Sequence, residues 1–331
     1  MSKIIDMHCD TVMALMGQEG TDLRASANMV DCEKLRRGGY MLQCFAMFVP
    51  YAKKDDPAYS PFVVCNKMID RFWREVEANR DILAPALCYD DIVRNEREGK
   101  ITALLTIEEG GVLEGNIEFL RNFYRLGVRM MTLTWNYKNE IGSPNIDFFK
   151  LWAGESFPTG PNVTEGLTDF GIEVVREMNR LGVVIDCSHA GDKTFYDVLR
   201  YSEKPIVCSH SCARSVCGAL RNMTDDMLLA LRDNGGVVGI NYCHDFVKDD
   251  PSVETAADLV AHIDHIRDLI GIDYIGLGSD FDGIGNDDIE LKDASMMGLL
   301  LDELRAHGYT QAEIDKITHE NVLRVFKANF G

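Results

Sequence analysis

Short runs of apolar residues recur along the whole chain, and longer amphipathic stretches separate them. Runs rich in Val, Ile and Leu with this spacing are typical of parallel strands whose outer faces are covered by helices. Several of them follow a glycine that ends the preceding helix, as in NRLGVVIDCSH and RLGVRMMTLTW. We predict eight strands, at residues 3–8, 39–48, 101–109, 127–135, 182–189, 205–210, 236–242 and 274–280.

The amphipathic stretches predict the helices that connect these strands. These helices lie at 62–79, 114–125, 168–180, 192–201, 224–233, 254–270 and 292–307, and two more follow the capping box of Thr310 and Glu313. Eight strands alternating with helices favour an α/β fold of the closed (β/α)8 TIM type, distorted and with extra C-terminal helices. No GxGxxG motif follows the first strand to suggest a dinucleotide-binding sheet. Because no linker-like stretch divides the chain, we predict a single domain over residues 1–331.

Composition and charge exclude several classes of function. The chain is 46% hydrophobic and 26% charged, which is typical of a folded globular protein. Its net charge of −19 repels nucleic acid and anionic membrane surfaces. No apolar run approaches the roughly 20 residues that span a bilayer, and MSKIIDMHCD lacks the apolar region of a signal peptide. We therefore expect a cytoplasmic protein with reduced cysteines and no nucleic-acid or membrane partner.

Polar residues follow the predicted strands at their carboxyl ends. In a (β/α)8 barrel this end carries the catalytic groups, whereas the interior is filled by branched apolar side chains. Repeated His, Asp and Glu at these positions therefore indicate a metal site. The residues are His8 and Asp10 at the first strand, Glu109 at the third, His189 at the fifth, His210 at the sixth and Asp280 at the eighth.

The spacing and type of these residues predict a pair of divalent ions. In an extended strand residues i and i+2 point to the same side, so His8 and Asp10 can hold one ion. His189 and His210 would bind the second ion, and the carboxylate of Glu109 is the candidate bridge between the two ions. Imidazole and carboxylate suit zinc, but also manganese, iron or cobalt. Two such ions activate water near neutral pH, which predicts a hydrolase.

Two further residues are candidates for catalysis and for substrate binding. Asp280, in GLGSDFDG, is placed to accept and deliver a proton, although DFDG is also good turn chemistry. Arg221 can hold a substrate carboxylate through its planar guanidinium, or it can pair with Asp225 or Asp226 on the next helix. Other acidic residues near the predicted site are expected to be outer partners or surface residues. These are Glu108, Asp186 and Asp282.

Eight motifs spread over nearly the whole chain resemble the renal or membrane dipeptidase family of metallopeptidases, within the amidohydrolase superfamily. The motifs are DMHCDT (6–11), EGG (109–111), LTWN (133–136), GLTDFGIEVVREMNRLGVVIDCSH (166–189), PIVCSHSCAR (205–214), LRNMTDD (220–226), GLGSDFDG (276–283) and ENVLRVF (320–326).

This resemblance implies a distorted barrel with two zinc ions that hydrolyses dipeptides, including dipeptides with a D-residue at the C-terminal position. It also suggests a homodimer, and its EGG pattern selects Glu109 over Glu108 as the bridge. The residues that match the family's functional positions are His8 and Asp10 for one ion, His189 and His210 for the other, Glu109 between them, Asp280 for proton transfer and Arg221 for substrate.

One position departs from the resemblance. Familiar members carry a substrate-binding histidine after LT at the fourth strand, where this chain has Trp135. We expect Trp135 to contact substrate, and we expect either that Asn136 or Arg221 takes over the lost polar contact or that the substrate range differs.

Three functions remain open from the sequence. The first is a metal-dependent dipeptidase. The second is a related barrel enzyme for a lactone, cyclic amide or phosphoester, but such enzymes often use HxH and a modified lysine, whereas this chain has HxD and no lysine at the fourth strand end. The third is a non-enzymatic barrel with a degenerate metal site, for which Trp135 is the main support.

Overall fold

The computed structural model describes residues 3–18, 20–54, 56–285 and 287–331. Within these residues the strands belong to one sheet, and every pairing in it is parallel. The strands are β1 (Ile4–Asp6), β2 (Tyr40–Phe48), β3 (Leu83–Pro85), β4 (Ile101–Glu108), β5 (Met130–Thr132), β6 (Val184–Asp186), β7 (Val207–Cys208), β8 (Val237–Ile240) and β9 (Ile275–Leu277).

The sheet closes into a barrel. Its order is β2-β1-β9-β8-β7-β6-β5-β4-β3, and an additional pairing of β2 with β4 completes a ring of eight strands. The short β3 pairs only with the first residues of β4, beginning with Leu83 opposite Ile101. The predicted (β/α)8 barrel is confirmed, and β3 is a strand that the periodicity of the sequence did not reveal.

Helices cover the outside of the barrel. Each long helix predicted from the sequence is present, with ends shifted by a few residues, and the short helices α1, α2, α4, α6 and α10 were not predicted. The helices are α1 (Thr11–Met16), α2 (Cys32–Gly38), α3 (Pro61–Ala78), α4 (Tyr89–Arg97), α5 (Ile117–Arg125), α6 (Phe148–Trp152), α7 (Asp169–Leu181), α8 (Asp192–Tyr201), α9 (Asp225–Asn234), α10 (His244–Val247), α11 (Ala256–Ile270), α12 (Met297–Ala306), α13 (Gln311–Asp315) and α14 (Asn321–Phe330).

The last helix closes the amino end of the barrel. Strand residues such as Ile5 and Val184 form one buried cluster with Val325 and Phe326 of α14. Asn321, at the start of α14, donates a hydrogen bond from Nδ2 to the carbonyl of Ile275, the first residue of β9. Since this end is filled by apolar side chains, the carboxyl ends of the strands are left to form the open mouth.

Two further observations concern the surface and the thiols. None of the helices in the described residues combines the length and the apolar character needed to cross a bilayer. The ten cysteines are all free thiols, and most of them are buried.

Candidate metal centre

Three histidines and three carboxylates meet at the mouth of the barrel. Each lies at or just beyond the carboxyl end of a strand, as predicted for all but one of them. Five of the side chains are buried, and that of Asp280 is half-buried. The cluster consists of His8 and Asp10 after β1, Glu108 at the end of β4, His189 after β6, His210 after β7 and Asp280 after β9.

Glu108 lies between the histidines, and its two oxygen atoms face different partners. Oε1 is 3.0 Å from Nε2 of His189 and 3.6 Å from Nε2 of His210. Oε2 is 3.3 Å from Nε2 of His8. A carboxylate with one oxygen on each side can bridge two neighbouring cations.

The structure places Glu109 outside this cluster, which corrects the prediction that it is the bridge. Its Oε1 accepts hydrogen bonds from the amide of Gly111 at 2.7 Å and from Nδ2 of Asn139 at 2.5 Å. Its Oε2 accepts from the amide of Trp135 at 2.9 Å. Successive side chains of a strand point to opposite sides, so only one of two adjacent glutamates can face the centre. Glu108 is that residue.

The EGG motif has a local structural role. Glu109 has a φ of 82° and caps the 3-10 turn Gly110–Leu113 with its own carboxylate. A Cβ atom at Gly110 would lie 2.5 Å from the carbonyl oxygen of Leu133, so no other residue fits there. The motif therefore directs the chain away from the centre immediately after Glu108.

The two remaining carboxylates, those of Asp10 and Asp280, also approach Nε2 of His8. Oδ2 of Asp10 is 3.4 Å from its Nε2, and Oδ1 of Asp280 is 3.9 Å from the same atom. Two overlapping groups within the described residues have ligand atoms close enough to share a cation. They are His8 with Glu108 and His210, and His8 with Asp10 and Asp280.

The donor set fits divalent cations. Nε2 of His8 and Oδ1 of Asp10 are buried and form no hydrogen bond with any of the described residues, although such atoms in folded proteins are nearly always paired. Nε2 of His189 lies 3.0 Å from Nε2 of His210. Burial lowers the pKa of both rings well below the ordinary histidine value, so both are neutral and offer lone pairs. Neutral imidazole and carboxylate oxygen are ligands that zinc and similar ions prefer.

The electrostatics of the cluster favour added positive charge. Burial raises the pKa of the Glu108 and Asp280 carboxyl groups. Burial alone would lower the pKa of His8, but the carboxylates of Glu108 and Asp10 raise it well above its ordinary value. Carboxylates crowded in a buried site repel each other, and a divalent cation relieves that repulsion.

Hydrogen bonds from behind fix two of the histidine rings. Nδ1 of His210 lies 2.7 Å from Oγ of Ser209, which donates to Oδ2 of Asp186 at 2.6 Å and therefore accepts from the ring. Nδ1 of His189 lies 3.0 Å from Oδ1 of Asn136, an atom that only accepts. In both rings the proton is on Nδ1, and the lone pair of Nε2 faces the centre.

Two buried aspartates hold the strand ends that carry the ligands. Asp186 also accepts from the amides of Ser188 and Ser209. Asp6, which was not singled out in the sequence, accepts from the amide of His8 and from the amide and hydroxyl of Ser279. The signal for both was the repeated Ile-Asp ahead of a histidine, in IDMH and IDCSH.

A cleft of about 160 Å³ opens over the cluster. Asp280 and Trp135 both line it, and Oδ2 of Asp280 accepts a hydrogen bond from Nδ2 of Asn241 at 3.0 Å. The residues around the cleft are Asp10, Met13, Phe48, Glu108, Trp135, Asn136, His189, Cys243, Phe246, Asp280, Gly283 and Ile284.

Arg221 is buried beside the centre. Its Nη1 donates to Oγ of Ser211 and its Nη2 to the carbonyl of His210, both at 2.9 Å, while its Nε has no partner among the residues that the structure describes. The guanidinium lies 5.7 Å from the ring centre of Phe246, a residue of the cleft wall. Within the described residues Arg221 pairs with neither Asp225 nor Asp226, and Asp225 accepts instead from His265 at 2.8 Å.

Comparison with known proteins identifies relatives of the same architecture. The family model described as membrane dipeptidase, peptidase family M19, matches residues 1–329. Dipeptidase 3 of Mus musculus is 40% identical over 69% of this chain, which spans 44% of the mouse protein. The crystal structure of dipeptidase AC, an M19 metallopeptidase, superposes with a TM-score of 0.90 at 25% identity and covers 100% of this chain and 99% of that one.

A metallopeptidase from Rhodobacter sphaeroides, solved with a phosphinate mimic of the dipeptide L-Ala-D-Ala, has a TM-score of 0.88 at 25% identity over 99% of both chains. The family match extends over almost the entire chain, and the cluster at the barrel mouth fits a metal site. The chain therefore belongs to the membrane dipeptidase family, peptidase family M19, and is a metal-dependent dipeptidase.

Proposed function

We propose that this dipeptidase binds two divalent ions, with zinc as the expected metal, and that Glu108 bridges them. The observation that carries the proposal is the division of the Glu108 oxygens, one toward His189 and His210 and the other toward His8. Asp10 would bind the ion beside His8 as a further ligand. When bound, such an ion pair lowers the pKa of water and polarises the carbonyl oxygen of a peptide bond.

Asp280 is the proposed proton carrier. It lines the cleft, and Asn241 holds its Oδ2 at 3.0 Å, which leaves Oδ1 free toward the centre. Burial raises the pKa of Asp280 to about 6, so the group exchanges protons near neutral pH. We assign it to accept the proton of the attacking water and to deliver that proton to the leaving amine of the cleaved dipeptide.

Arg221 and the aromatic wall are the proposed substrate contacts. Its guanidinium is held by Ser211 and by the His210 carbonyl, and Nε has no partner in the described residues. We assign this group to the C-terminal carboxylate of the dipeptide, since a planar guanidinium matches that anion. Trp135 and Phe48, whose ring centres are 5.1 Å apart, form an apolar wall for a substrate side chain.

The relatives support the chemical class of the proposed substrate. The Rhodobacter sphaeroides enzyme was solved with a mimic of L-Ala-D-Ala. We propose that this chain cleaves dipeptides of both L,L and L,D stereochemistry. A cytoplasmic location and a homodimer, expected from the sequence, stay proposals beside it.

The test is a screen of L,L and L,D dipeptides with metal-loaded protein, before and after chelation. We expect amino acids to be released, activity to be lost on chelation and activity to return when zinc is restored. Release from none of the dipeptides by zinc-loaded protein would refute the proposal and favour another amide or ester as substrate.

Asp280→Asn tests the proton carrier. The amide cannot accept the proton, so we expect kcat to fall about 10²–10⁴-fold. Asp287→Asn, the same exchange at an exposed position a few residues further on, is the matched control and should retain activity. Near-normal turnover by Asp280→Asn would show that another group carries the proton.

A further inference from the structure

Asn136 occupies a position between a metal-ligand candidate and the open cleft. It comes immediately after Trp135, in the loop that follows β5, and it is one of the residues that line the cleft. Its Oδ1 lies 3.0 Å from Nδ1 of His189. The side chain is partly exposed, whereas the histidine that it contacts is buried.

The chemistry of His189 decides which way the amide of Asn136 is turned. Nε2 of His189 faces Oε1 of Glu108 and Nε2 of His210, each at 3.0 Å, and this is the atom that a cation requires as a lone pair. The ring proton is therefore on Nδ1. A protonated Nδ1 needs an acceptor, so the Asn136 atom beside it is the amide oxygen and not the amide nitrogen.

The other end of the amide is left without a protein partner. Within the described part of the chain, no hydrogen bond of Nδ2 accompanies the contact of Oδ1 with His189. Because the residue lines the cleft, the two N–H groups of Nδ2 are available to a bound molecule. An N–H donor beside the ligand cluster suits an oxygen atom that gains negative charge.

The backbone around Asn136 is fixed on both sides. The amide of Trp135 donates to Oε2 of Glu109 at 2.9 Å, and the carbonyl of Asn136 accepts from the amide of Phe148 at 2.9 Å. The ring of Trp135 packs between those of Phe48 and Tyr137, at 5.1 and 4.9 Å. A donor held in this way needs no reorganisation during the reaction, which is what makes it effective.

We propose that Asn136 is a catalytic residue with two tasks, in which Oδ1 orients His189 toward the metal centre and Nδ2 donates a hydrogen bond to the scissile carbonyl oxygen as negative charge develops on it. The second task rests on the proposed dipeptide hydrolysis. The first task concerns this chain's own metal affinity and is independent of the substrate.

Two variants separate the tasks. Asn136→Asp keeps an oxygen acceptor for His189 but removes the donor. We expect its zinc affinity to be no weaker than that of the parent, while kcat/KM for dipeptides falls about 10²–10³-fold, the effect of losing one such donor. Binding of a phosphinate dipeptide mimic should weaken by a similar factor. Asn136→Ala loses both functions, and its zinc affinity should also fall about 10–100-fold, the usual effect of losing an outer partner.

The matched control is Asn122→Asp on α5, where the side chain is exposed and its Oδ1 accepts from Arg125. It should leave kcat/KM and zinc affinity unchanged. If Asn136→Asp retained the parent's kcat/KM, the donor task would be wrong, and if Asn136→Ala retained the parent's zinc affinity, the orienting task would be wrong. Failure of the parent to cleave any dipeptide would overturn the proposed function and the donor task together, and the zinc titrations would still decide the orienting task.

Discussion

Exchange of either of the two adjacent glutamates for glutamine distinguishes the metal centre from its scaffold. In Glu108→Gln one of the two oxygens becomes an NH2 group, which cannot bind a cation. In the parent the carboxylate faces His8 on one side and His189 on the other, so the variant loses a ligand to at least one ion. Removal of outer partners reduces metal affinity about 10–100-fold, so loss of a direct ligand should cost at least about 100-fold. The metal content of the purified variant should fall accordingly.

Glu109→Gln should leave the metal centre intact. The amide oxygen can keep the two hydrogen bonds that Oε1 accepts, from Gly111 and Asn139. In the parent, Oε2 accepts a hydrogen bond from the amide N–H of Trp135 at 2.9 Å. In the variant an NH2 group takes the place of Oε2, so two donors face each other and this hydrogen bond is lost. Losing one hydrogen bond to a charged group costs about 1.5–3 kcal/mol.

The measurement is urea unfolding of the metal-free proteins at pH 8, together with zinc content after reloading. Burial raises the pKa of Glu109 from its ordinary value of 4.5 to about 7, so at pH 8 the carboxylate is mostly ionised in the parent, and keeping it ionised in the folded protein costs about 3 kcal/mol. Glu109→Gln removes that cost and loses the hydrogen bond to Trp135, so we expect its free energy of unfolding to stay within about 2 kcal/mol of the parent's with an unchanged urea m-value, while its zinc content stays at the parent level. A variant of Glu109 that lost zinc, beside a variant of Glu108 that kept it, would refute the assignment of the two side chains.

Three other substitutions test the buried charges and the close packing. Burial raises the pKa of Glu254 to about 9, above its unfolded value near 4.5, so native stability should fall as pH rises from about 4.5 to 9. Glu254→Gln should abolish that loss and be more stable than the parent by about 2–4 kcal/mol at pH 8 in urea unfolding, and equal stability at pH 5 and pH 8 in the parent would contradict this. Hydrogen bonds from Arg180 and then Arg121 lower the pKa of Glu177 to about 2, so its contribution is present above about pH 4.5 and is lost as pH falls toward 2. Glu177→Gln should destabilise by about 1–2 kcal/mol at pH 7 and by less than half of that at pH 3, as thermal unfolding at both values would show. In Gly283→Ala the new Cβ would lie 2.1 Å from Oδ2 of Asp10 and displace that carboxylate. Zinc affinity measured by titration calorimetry should therefore fall at least about tenfold. Unchanged affinity would mean that the loop around Gly283 shifts without moving Asp10.

The barrel was predictable because its signal is local and repeated. A buried parallel strand needs a short apolar run and its covering helix needs an amphipathic period, and each pattern is readable within one segment. The strand β3, which spans Leu83–Pro85, and short helices such as Thr11–Met16 have too few residues to show either period. They form because neighbouring elements provide their hydrogen-bond partners and bury their apolar side chains.

The position of the ligand cluster was predictable, but not every residue in it. Since parallel strands of a barrel end at one face, polar residues at several strand ends meet there, and His8, His189 and His210 do. The pattern did not distinguish Glu108 from Glu109, because the choice depends on a turn with a φ of 82° and on acceptor contacts with Trp135 and Asn139.

What the amino-acid sequence by itself determined is the order of strands and helices and the end of the barrel at which the chemistry lies. Only the tertiary structure decided that Asp6 hydrogen-bonds Ser279, 273 positions away, and that Asn136 contacts His189 across 53 positions. Periodicity reports which face of its own segment a residue occupies. It carries no distance between segments, and such distances are set by how the strands close and how the loops pack over the mouth.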